Sequence, residues 1–248
     1  MDSLILMWKH PETKKNYVVG VLSKLSKRYR FTYLKNEVNT AIQAGFDLLV
    51  GFPDFEKKYY SNKLFPLFER RIPPKSRKLF QDVIKKYEFD INSDVMWQFL
   101  KISQGRTGTD TFSLVQPLKI IDKKLNLEFS VAGWSFSGDK VLINEMIDTK
   151  NFKISLEKEP NNPKDEKAIL VNISNFQQHF KLGYIPTPYN GPIFEILDKV
   201  PNLHYLSKLV HQLDFDENRP VVFISFDLTR HTKILQNLKK SPYVVTNN

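Results

Sequence analysis

The sequence predicts an α+β protein with two domains, one over residues 1–117 and one over residues 125–230. Three observations support this prediction. A chain of 248 residues has room for one large or two modest hydrophobic cores. Residues 1–117 combine short apolar segments with helical apolar patterns, as a small sheet packed with helices does. Residues 125–230 contain mostly strand-like segments separated by turns, so a mainly β domain is expected there, after a linker near residues 116–124.

Composition narrows the classes of function. Hydrophobic residues make up 41% of the chain and charged residues 26%, as in ordinary globular proteins. The absence of cysteine and the scatter of five histidines give no sequence basis for disulfides, thiol catalysis or zinc fingers. No apolar segment is long enough to span a bilayer and no secretory signal is recognisable, so we expect a cytoplasmic protein without membrane contact.

The net charge of +10 is compatible with nucleic-acid binding, but it is unevenly distributed. Residues 1–117 carry 20 Lys and Arg against 12 Asp and Glu, whereas the rest of the chain carries 17 against 15. Most of the basic excess therefore lies in the first half. Phosphate groups are bound by local clusters of cations rather than by totals, so this distribution still allows a DNA site in the second half.

The first half begins with strands. Short apolar segments bounded by polar turns predict them, and a Pro-Asp turn follows the last one. A brief helix that ends before Gly45 separates the third strand from the fourth. The predicted elements are strands over Leu4–Trp8, Tyr17–Leu22, Arg30–Tyr33 and Leu48–Pro53, and a helix over Glu37–Ala44.

Helices and a final strand complete this half. The apolar residues of Asn62–Arg71 recur at helical spacing, with Ser61 or Asn62 available as the N-terminal cap. After a Pro-Pro break, Ser76 can cap a helix that continues to Tyr87. The last elements are a helix over Asp94–Ser103 and a strand over Gly105–Val115.

This order of elements resembles the N-terminal subdomain of HipA-type kinases and its free-standing form, HipS, over about residues 3–117. Short motifs carry the resemblance, and the kinase body that follows this subdomain in HipA does not follow here. The sequence has no Gly-rich phosphate loop, no HRD-like loop and no paired metal carboxylates, so we expect no catalytic residues, no metal and no cofactor. The motifs are Val19–Ser23, Tyr29–Tyr33, Ser61–Pro73, Arg77–Tyr87 and Gly105–Thr111.

In three-component HipA-like toxin–antitoxin systems, the free-standing subdomain neutralises a separate kinase. The resemblance therefore implies two partners, a HipT-like serine/threonine kinase toxin and a helix-turn-helix protein of the HipB type. A basic loop can pair with acidic metal ligands or a bound phosphate of the kinase, while aromatic rings pack on its surface. The alternative, which burial statistics favour, is that Phe65 and Phe68 simply belong to the hydrophobic core. The expected contact residues are Phe65, Phe68, Lys75, Ser76, Arg77 and Phe80.

The second half centres on residues 156–186. A strand that ends at Glu159 is followed by a turn with two prolines and two asparagines. Proline removes a backbone donor and forces the residue before it toward an extended conformation, and asparagine suits turns. The turn is therefore expected to be rigid and to present Asn161, Asn162 and Asp165 at one place. A buried strand over Ala168–Val171 and a strand closing on Gly183 complete the segment.

This segment resembles the HIRAN domain, which is found in helicase-like chromatin remodellers and in many bacterial proteins. The resemblance covers about residues 129–228. It implies a small barrel, related to SH3 and OB folds, that binds the 3′ end of single-stranded DNA. The motifs are VAGWSF at Val131–Phe136, EPNNPKDEKAILV at Glu159–Val171 and LGYIP at Leu182–Pro186.

The resemblance assigns roles to particular residues. Phe136 falls where an aromatic ring stacks on the terminal base, and Asn161 and Asn162 fall where amides reach phosphate or sugar. Asp165 falls where a carboxylate accepts a hydrogen bond from the 3′-hydroxyl, and such a carboxylate repels a terminal phosphate. The alternative is that the two asparagines only shape the turn and Asp165 only caps the next step.

Three positions depart from the DNA-binding pattern of the family. Ser135 stands in place of an arginine, Lys164 in place of a stacking tyrosine, and Tyr184 in place of a histidine. The missing ring removes part of the stacking energy. Contacts from Lys164 and Tyr184 to phosphate can offset this loss.

The remaining residues add elements of the second domain. Apolar residues at helical spacing predict one helix, and two alternating segments predict a long hairpin. Trp134 is expected to fill the barrel. The predicted helix spans Thr187–Val200, the hairpin strands span His204–Phe215 and Pro220–Leu228 around Asp216–Asn218, and residues 231–248 form a basic, frayed tail.

The favoured interpretation is a non-catalytic, antitoxin-like regulatory subunit of a bacterial HipA-type kinase system. It would bind the kinase through residues 1–117 and DNA through the second domain. The alternative is a stand-alone HIRAN protein that binds single-stranded DNA ends in repair or phage defence. A nuclease or nucleotide-binding enzyme is disfavoured because the sequence contains no clustered carboxylates.

Overall fold

The structure is a computed structural model that describes residues 2–90, 92–108, 111–210 and 219–246. The chain divides into two units, residues 1–117 and 118–248. Both units combine helices with sheets, so the predicted α+β class is confirmed.

A five-stranded antiparallel sheet forms the first unit, with strand order β4-β3-β2-β1-β5. Successive residues of β1 from Leu4 to Met7 are buried, so both faces of this strand are covered. Across the inner strands Leu4 lies opposite Leu22 and Leu22 lies opposite Phe31, and all three are fully buried. The strands are β1 (Asp2–Lys9), β2 (Asn16–Lys24), β3 (Tyr29–Tyr33), β4 (Lys58–Ser61) and β5 (Phe112–Val115).

Helices follow the strands of this unit in the order that the sequence predicts. The last of them begins after Asp94, whose carboxylate accepts a hydrogen bond from the Trp97 backbone N–H at 3.1 Å and caps the helix. It ends at Gln104, which adopts the left-handed conformation. The helices are α1 (Lys35–Gln43), α2 (Pro66–Glu69), α3 (Lys78–Lys86) and α4 (Val95–Ser103).

The predicted strand over Leu48–Pro53 is wrong, because this segment is irregular. The side chain of Tyr33 makes hydrogen bonds to this segment that a neighbouring strand would otherwise make. The Leu49 N–H donates to the Tyr33 hydroxyl at 3.0 Å, and that hydroxyl donates to the Phe52 carbonyl at 2.9 Å. Burial raises the pKa of Tyr33 to about 12, so the hydroxyl keeps its proton at neutral pH. The apolar side chains of this segment can therefore be buried without the segment forming a strand.

Four further features of this unit differ from prediction. The predicted helix over Asn62–Arg71 shrinks to α2, because Pro66 fits only the first turn of a helix. Ser61 ends β4 rather than capping a helix. Ser76 does not cap α3, which starts one residue later, after Arg77, without a side-chain cap. The final strand is shorter than predicted and is restricted to β5.

Two sheets form the second unit. One has the order β11-β12-β7-β6-β13 and the other the order β10-β9-β8. The strands are β6 (Leu118–Ile121), β7 (Lys124–Ser130), β8 (Lys153–Glu159), β9 (Ala168–Ser174), β10 (His179–Tyr184), β11 (Tyr205–Val210), β12 (Val221–Asp227) and β13 (Val244–Thr246).

Helices of this unit lie between its strands and after them. The predicted helix after residue 187 is found. Of the residues expected on its core face, Ile193, Ile196 and Leu197 are buried and Phe194 is half-buried. No helix within the described ranges is both long and apolar enough to cross a membrane. The elements are a 3-10 turn (Trp134–Phe136), α5 (Lys140–Thr149), α6 (Asn190–Lys199) and α7 (Thr232–Leu238).

Hydrogen bonds join both edge strands of the three-stranded sheet, β10 and β8, to the five-stranded sheet. Residue Ala132, just after β7, forms an antiparallel bridge with Tyr184 of β10, with N···O distances of 2.9 and 2.8 Å. On the opposite side, the Leu156 N–H of β8 donates to the Tyr205 hydroxyl of β11 at 3.0 Å. The bridge places the turn Trp134–Phe136 beside β10.

Several predictions for the second half need correction. The expected linker contains β6, which pairs with β7 and belongs to the second unit. The expected frayed tail contains α7 and β13, because Leu235 and Leu238 are buried and β13 pairs with β6 in parallel. The strands β11 and β12 pair as a hairpin would, but its expected turn at 216–218 lies outside the described residues.

A pair of polar networks fixes α4 to the sheet of the first unit. The Asp94 carboxylate accepts hydrogen bonds from the Tyr29 hydroxyl and from Lys24, the latter at 3.1 Å. The Asp2 carboxylate accepts hydrogen bonds from the Trp97 indole at 2.9 Å and from Lys101. Burial alone raises the pKa of Asp94, but the bonds from Tyr29, Trp97 and Lys24 outweigh it and hold that pKa below its ordinary value.

We expect Asp94→Ala to lower the free energy of unfolding by about 1–2 kcal/mol at pH 7, because it removes a helix cap and a charged acceptor. A carboxyl whose pKa is depressed by folding stabilises the protein above its unfolded pKa. That contribution is lost as the pH falls through the folded pKa. The difference between the unmodified protein and the variant should therefore shrink below about pH 4.

Urea unfolding followed by circular dichroism at pH 7 and pH 3 measures this difference. The control is Asp82→Ala, which changes an exposed carboxylate on α3 and should shift the free energy of unfolding by less than about 0.5 kcal/mol. An Asp94→Ala deficit that stays constant with pH would contradict the account.

Candidate functional site

The turn between β8 and β9 is held by its own hydrogen bonds. The Asn162 backbone N–H donates to the Glu159 carbonyl at 3.0 Å, and the Lys164 N–H donates to Oδ1 of Asn162 at 2.9 Å. Asn162 therefore shapes the turn, as one of the two interpretations of the sequence proposes. Asn161 is exposed at the same turn.

The same Asn162 also connects the turn to β10. Its Nδ2 donates to Oε2 of Glu159 at 2.7 Å and lies 3.2 Å from the Tyr184 hydroxyl. That hydroxyl donates its proton to Oε2 of Glu159 at 2.8 Å and accepts a hydrogen bond from Nζ of Lys181 at 2.7 Å. One proton and two lone pairs are the full capacity of a phenol, so every bond that Tyr184 can make is used.

Charge in this network is balanced locally. Hydrogen bonds from Asn162 and Tyr184 hold the pKa of Glu159 below its ordinary value, and the Lys181 ammonium acts in the same direction. The ammonium also lies 4.2 Å from the centre of the Tyr184 ring. Glu159 is therefore ionised near neutral pH and is compensated by an adjacent cation.

Asp165 has different partners. Its Oδ1 accepts a hydrogen bond from the Lys167 N–H at 2.9 Å, and its Oδ2 accepts one from Nδ2 of Asn190 at 2.6 Å. Asn190 is buried at the start of α6. The carboxylate is thus oriented by groups on two elements, and it caps the next step as the second interpretation expects. A carboxylate has about four acceptor positions, so Asp165 keeps capacity for a further donor.

Phe136 ends the 3-10 turn with 78% of its surface exposed. Gly133 permits this turn because its φ of 73° is in the left-handed region, and the Phe136 N–H donates to the Gly133 carbonyl at 2.9 Å. The ammonium of Lys164 lies 5.8 Å from the centre of the Phe136 ring. The structure therefore brings the aromatic residue of one motif next to the turn of the other.

Trp134 is half-buried, so the expectation that it fills the interior holds only in part. The ammonium of Lys140 lies 5.4 Å from the centre of its ring. Together with Lys164 on Phe136 and Lys181 on Tyr184, this makes three lysine–aromatic pairs near the bridged edge of β10. Such pairing of rings with cations is typical of surfaces that bind single-stranded nucleic acid.

The sequence missed four residues of this site. Glu159 lies inside the recognised motif, but the sequence indicates only that it ends a strand. Lys181 was missed because a bulge between Lys181 and Gly183 turns it toward Tyr184, and no sequence signal shows that bulge. Lys140 and Asn190 belong to helices, and only the fold brings them to the site.

The candidate contact residues of the first unit separate into two groups. Phe68 and Phe80 are buried, and Phe80 stacks on Phe99 with ring centres 5.3 Å apart, so neither ring is available to a partner. This corrects their assignment as contact residues in favour of the core alternative. Phe65 is half-buried with its ring centre 5.0 Å from that of Phe52, whereas Lys75, Ser76 and Arg77 are exposed. Across the described part of the chain, no group of three or more His, Cys, Asp or Glu side chains could hold a metal ion.

We expect Asn162→Ala and Tyr184→Phe each to raise the pKa of Glu159 toward its ordinary value, because each change removes a hydrogen bond to the carboxylate. The asparagine change should have the larger effect, because the hydrogen bond from Asn162 is the main cause that lowers this pKa. Titration of the Glu159 carboxyl carbon by nuclear magnetic resonance measures the shift.

Tyr60→Phe is the matched control, because Tyr60 is an exposed tyrosine of β4 in the first unit and should leave this titration unchanged. A Glu159 pKa that stays the same in both site variants would show that the network does not set it.

Comparison with known families agrees with the location of these side chains. The family model of the HIRAN domain matches residues 124–210, which include β7, the 3-10 turn, β8 to β10 and the whole network around Tyr184. The match does not reach residues 1–117. No curated protein and no solved structure matches the chain. The second unit of this protein therefore contains a HIRAN domain, at residues 124–210.

Proposed function

We propose that this protein binds the 3′ end of single-stranded DNA through its HIRAN domain and has no catalytic activity of its own. The observation that carries the proposal is the exposed ring of Phe136 beside Lys164, next to the turn that contains Asn162 and Asp165. A large exposed ring on an ordered turn is a surface on which a base can stack.

Stacking on Phe136 supplies affinity without sequence preference. Every base has a π-face, and stacking on an aromatic side chain contributes about 1–3 kcal/mol per base. Lys140, Lys164 and Lys181 place ammonium groups around this ring and its neighbours, where phosphates of the strand can be bound. The small net charge of the second half therefore does not weaken the proposal, because the cations that matter are close to the rings.

Asp165 gives the site its preference for a hydroxyl end. A free 3′-hydroxyl can donate to the acceptor capacity that the Lys167 and Asn190 bonds leave on this carboxylate. A 3′-phosphate has no such proton and carries negative charge. At about 4 Å in water two like charges repel by about 1 kcal/mol, so a discrimination of about fivefold is expected.

We expect Phe136→Ala to weaken binding of 3′-hydroxyl single strands by about 1–3 kcal/mol, because the stacking surface is removed. Asp165→Asn should bind 3′-hydroxyl and 3′-phosphate strands with nearly equal affinity. Fluorescence anisotropy at fixed salt with the two kinds of strand measures both effects, and Leu206→Ala on β11 is the control for loss of an exposed apolar side chain.

Equal binding of both ends by the unmodified protein, with an affinity that depends only on salt, would contradict end recognition. A Phe136→Ala variant that keeps full affinity would contradict the assignment of the ring.

As a second candidate function we propose, from the resemblance of residues 1–117, regulation of a HipT-like kinase in an antitoxin-like arrangement. The observation that favours it is the exposed loop before α3. The Arg77 N–H donates to the Pro74 carbonyl at 2.9 Å and Gln81 donates to the Lys75 carbonyl at 2.8 Å, so the loop holds its cations in an ordered turn. With Phe68 and Phe80 in the core, the proposed contact is electrostatic and directed at acidic groups of the kinase.

For this candidate, we expect the full chain to form a complex with a HipT-like kinase at micromolar concentration. Reversal of both loop charges, Lys75→Glu with Arg77→Glu, should weaken the complex at least about tenfold, which is about 1.4 kcal/mol. Isothermal titration calorimetry measures this, and Lys85→Glu with Lys86→Glu at the other end of α3 is the matched control. Absence of a complex, or equal weakening by both pairs, would remove this candidate.

A further inference from the structure

Phe176 lies at the tip of the hairpin between β9 and β10, with 98% of its surface exposed. The tip is ordered by an asparagine. Oδ1 of Asn175 accepts hydrogen bonds from the Gln177 and Gln178 N–H groups at 2.9 and 2.7 Å, and the Asn175 N–H donates to the Gln178 carbonyl at 2.9 Å. An ordered turn thus holds a phenyl ring in water, where it gains nothing from hydrophobic burial.

The strand that follows this tip leads to the candidate site. β10 begins at His179, three residues after Phe176, and ends at Tyr184. At about 3.3 Å per residue, the strand covers roughly 17 Å. The exposed ring of the tip and the Tyr184 network therefore lie at opposite ends of one short strand.

One face of β10 is polar between these two ends. Lys181 lies opposite Asn172 of β9, and His179 lies opposite Ser174, so their side chains share a face of the sheet. On the adjacent strand, Lys153 of β8 lies opposite the same Ser174 and is exposed. The other face carries Leu182, which is buried.

Charge on the polar face changes along the strand. The carboxylates lie toward the Tyr184 end, where Glu159 accepts bonds from Asn162 and Tyr184, and Glu157 accepts one from Asn172 at 3.3 Å. The Lys181 ammonium belongs to the Tyr184 end, because it donates to the Tyr184 hydroxyl. Toward the hairpin tip the ionisable side chains of this face are His179 and Lys153. The face therefore becomes more favourable to phosphate with distance from the Tyr184 network.

We propose that the polar face of β10 binds the nucleotides that precede the 3′ end, and that Phe176 stacks on a base about five nucleotides from that end. This inference rests on the proposed DNA-end function of the same domain. Stacked nucleotides rise about 3.4 Å each, so five of them span the roughly 17 Å of β10 from Tyr184 to His179, where the hairpin tip that carries Phe176 begins. The result is a binding track with an aromatic platform at each end and cations between them.

Strand length separates this track from the end site itself. A 3′-hydroxyl tetranucleotide reaches Phe136 but not Phe176, whereas a dodecanucleotide reaches both. We expect Phe176→Ala to weaken binding of the dodecanucleotide at least about fivefold and to leave binding of the tetranucleotide unchanged. Phe176→Trp should bind the dodecanucleotide as tightly as the unmodified protein does, because tryptophan keeps an aromatic ring for stacking.

The experiment is calorimetric titration of the full chain with both oligothymidylates, after circular dichroism has shown that each variant is folded. Val141→Ala, which shortens another exposed apolar side chain, is the control and should bind both strands normally. Phe136→Ala reports on the proposed function itself, because it should weaken both lengths.

The outcomes are distinct. If Phe136→Ala weakens both strands while Phe176→Ala binds the dodecanucleotide normally, the end site stands and the track is wrong. Equal losses on both lengths in Phe176→Ala would also overturn the track, because they would show a general disturbance of the domain. If Phe136→Ala changes neither affinity, the proposed function fails and the track fails with it.

Discussion

The candidate site depends on one close approach of two backbone segments. Residues 131–132 cross Gly183 so closely that a Cβ there would lie 2.3 Å from Cγ1 of Val131 and 2.4 Å from the Ala132 carbonyl oxygen. The φ of 146° at Gly183 is also one that other residues rarely adopt. Glycine at this position allows Ala132 to bridge Tyr184, and the bridge sets where the chain starts its turn toward Phe136. Stacking surface and polar network are therefore positioned by a single contact.

The polar groups of the site are arranged so that little has to move when a ligand arrives. The Tyr184 hydroxyl is held by Glu159 of β8, by Asn162 of the turn after β8 and by Lys181 of β10. Asp165 is held by the Lys167 backbone N–H and by the buried amide of Asn190. Groups whose rotamers are already held lose less entropy on binding. The exposed groups, Phe136 and Lys164, are the ones left free to adjust. In the proposed complex, this division would place the rigid groups at the 3′ end of the strand and the adaptable ones at its base.

Much of the fold follows from local sequence patterns, but the complete site does not. Short apolar runs mark the inner strands, an aspartate cap marks α4, and paired prolines mark the turn after Glu159. The sequence analysis does not predict α5, although two signals for it are present. The Asp139 carboxylate caps the helix by accepting hydrogen bonds from the Val141 and Leu142 N–H groups. Ile143 and Met146 are buried at helical spacing. The network of Glu159, Tyr184 and Lys181 joins side chains from two strands across a bulge, so only long-range pairing defines it.

The segments predicted wrongly share a physical cause. Burial of Leu49 and Phe52 suggests a strand, but the Tyr33 hydroxyl satisfies the backbone polar groups that a ladder would otherwise need. Residues 232–246 look like a polar tail, yet two leucines and a short parallel strand are enough to attach them to the sheet. In both places the chain finds partners far away in sequence, which periodicity within a short window does not reveal.

Replacement of the stacking tyrosine of the family by Lys164 changes how the site would gain affinity. In the observed arrangement the ammonium lies over the Phe136 ring, a contact worth about 0.5–1 kcal/mol at an exposed position. A base that stacks on the same face must displace this ammonium, but stacking returns about 1–3 kcal/mol. The displaced ammonium is then free to bind a phosphate, which releases a condensed counterion. Loss of the second ring is thus partly offset by charge, and binding should depend more on phosphate contacts than in a site with two rings.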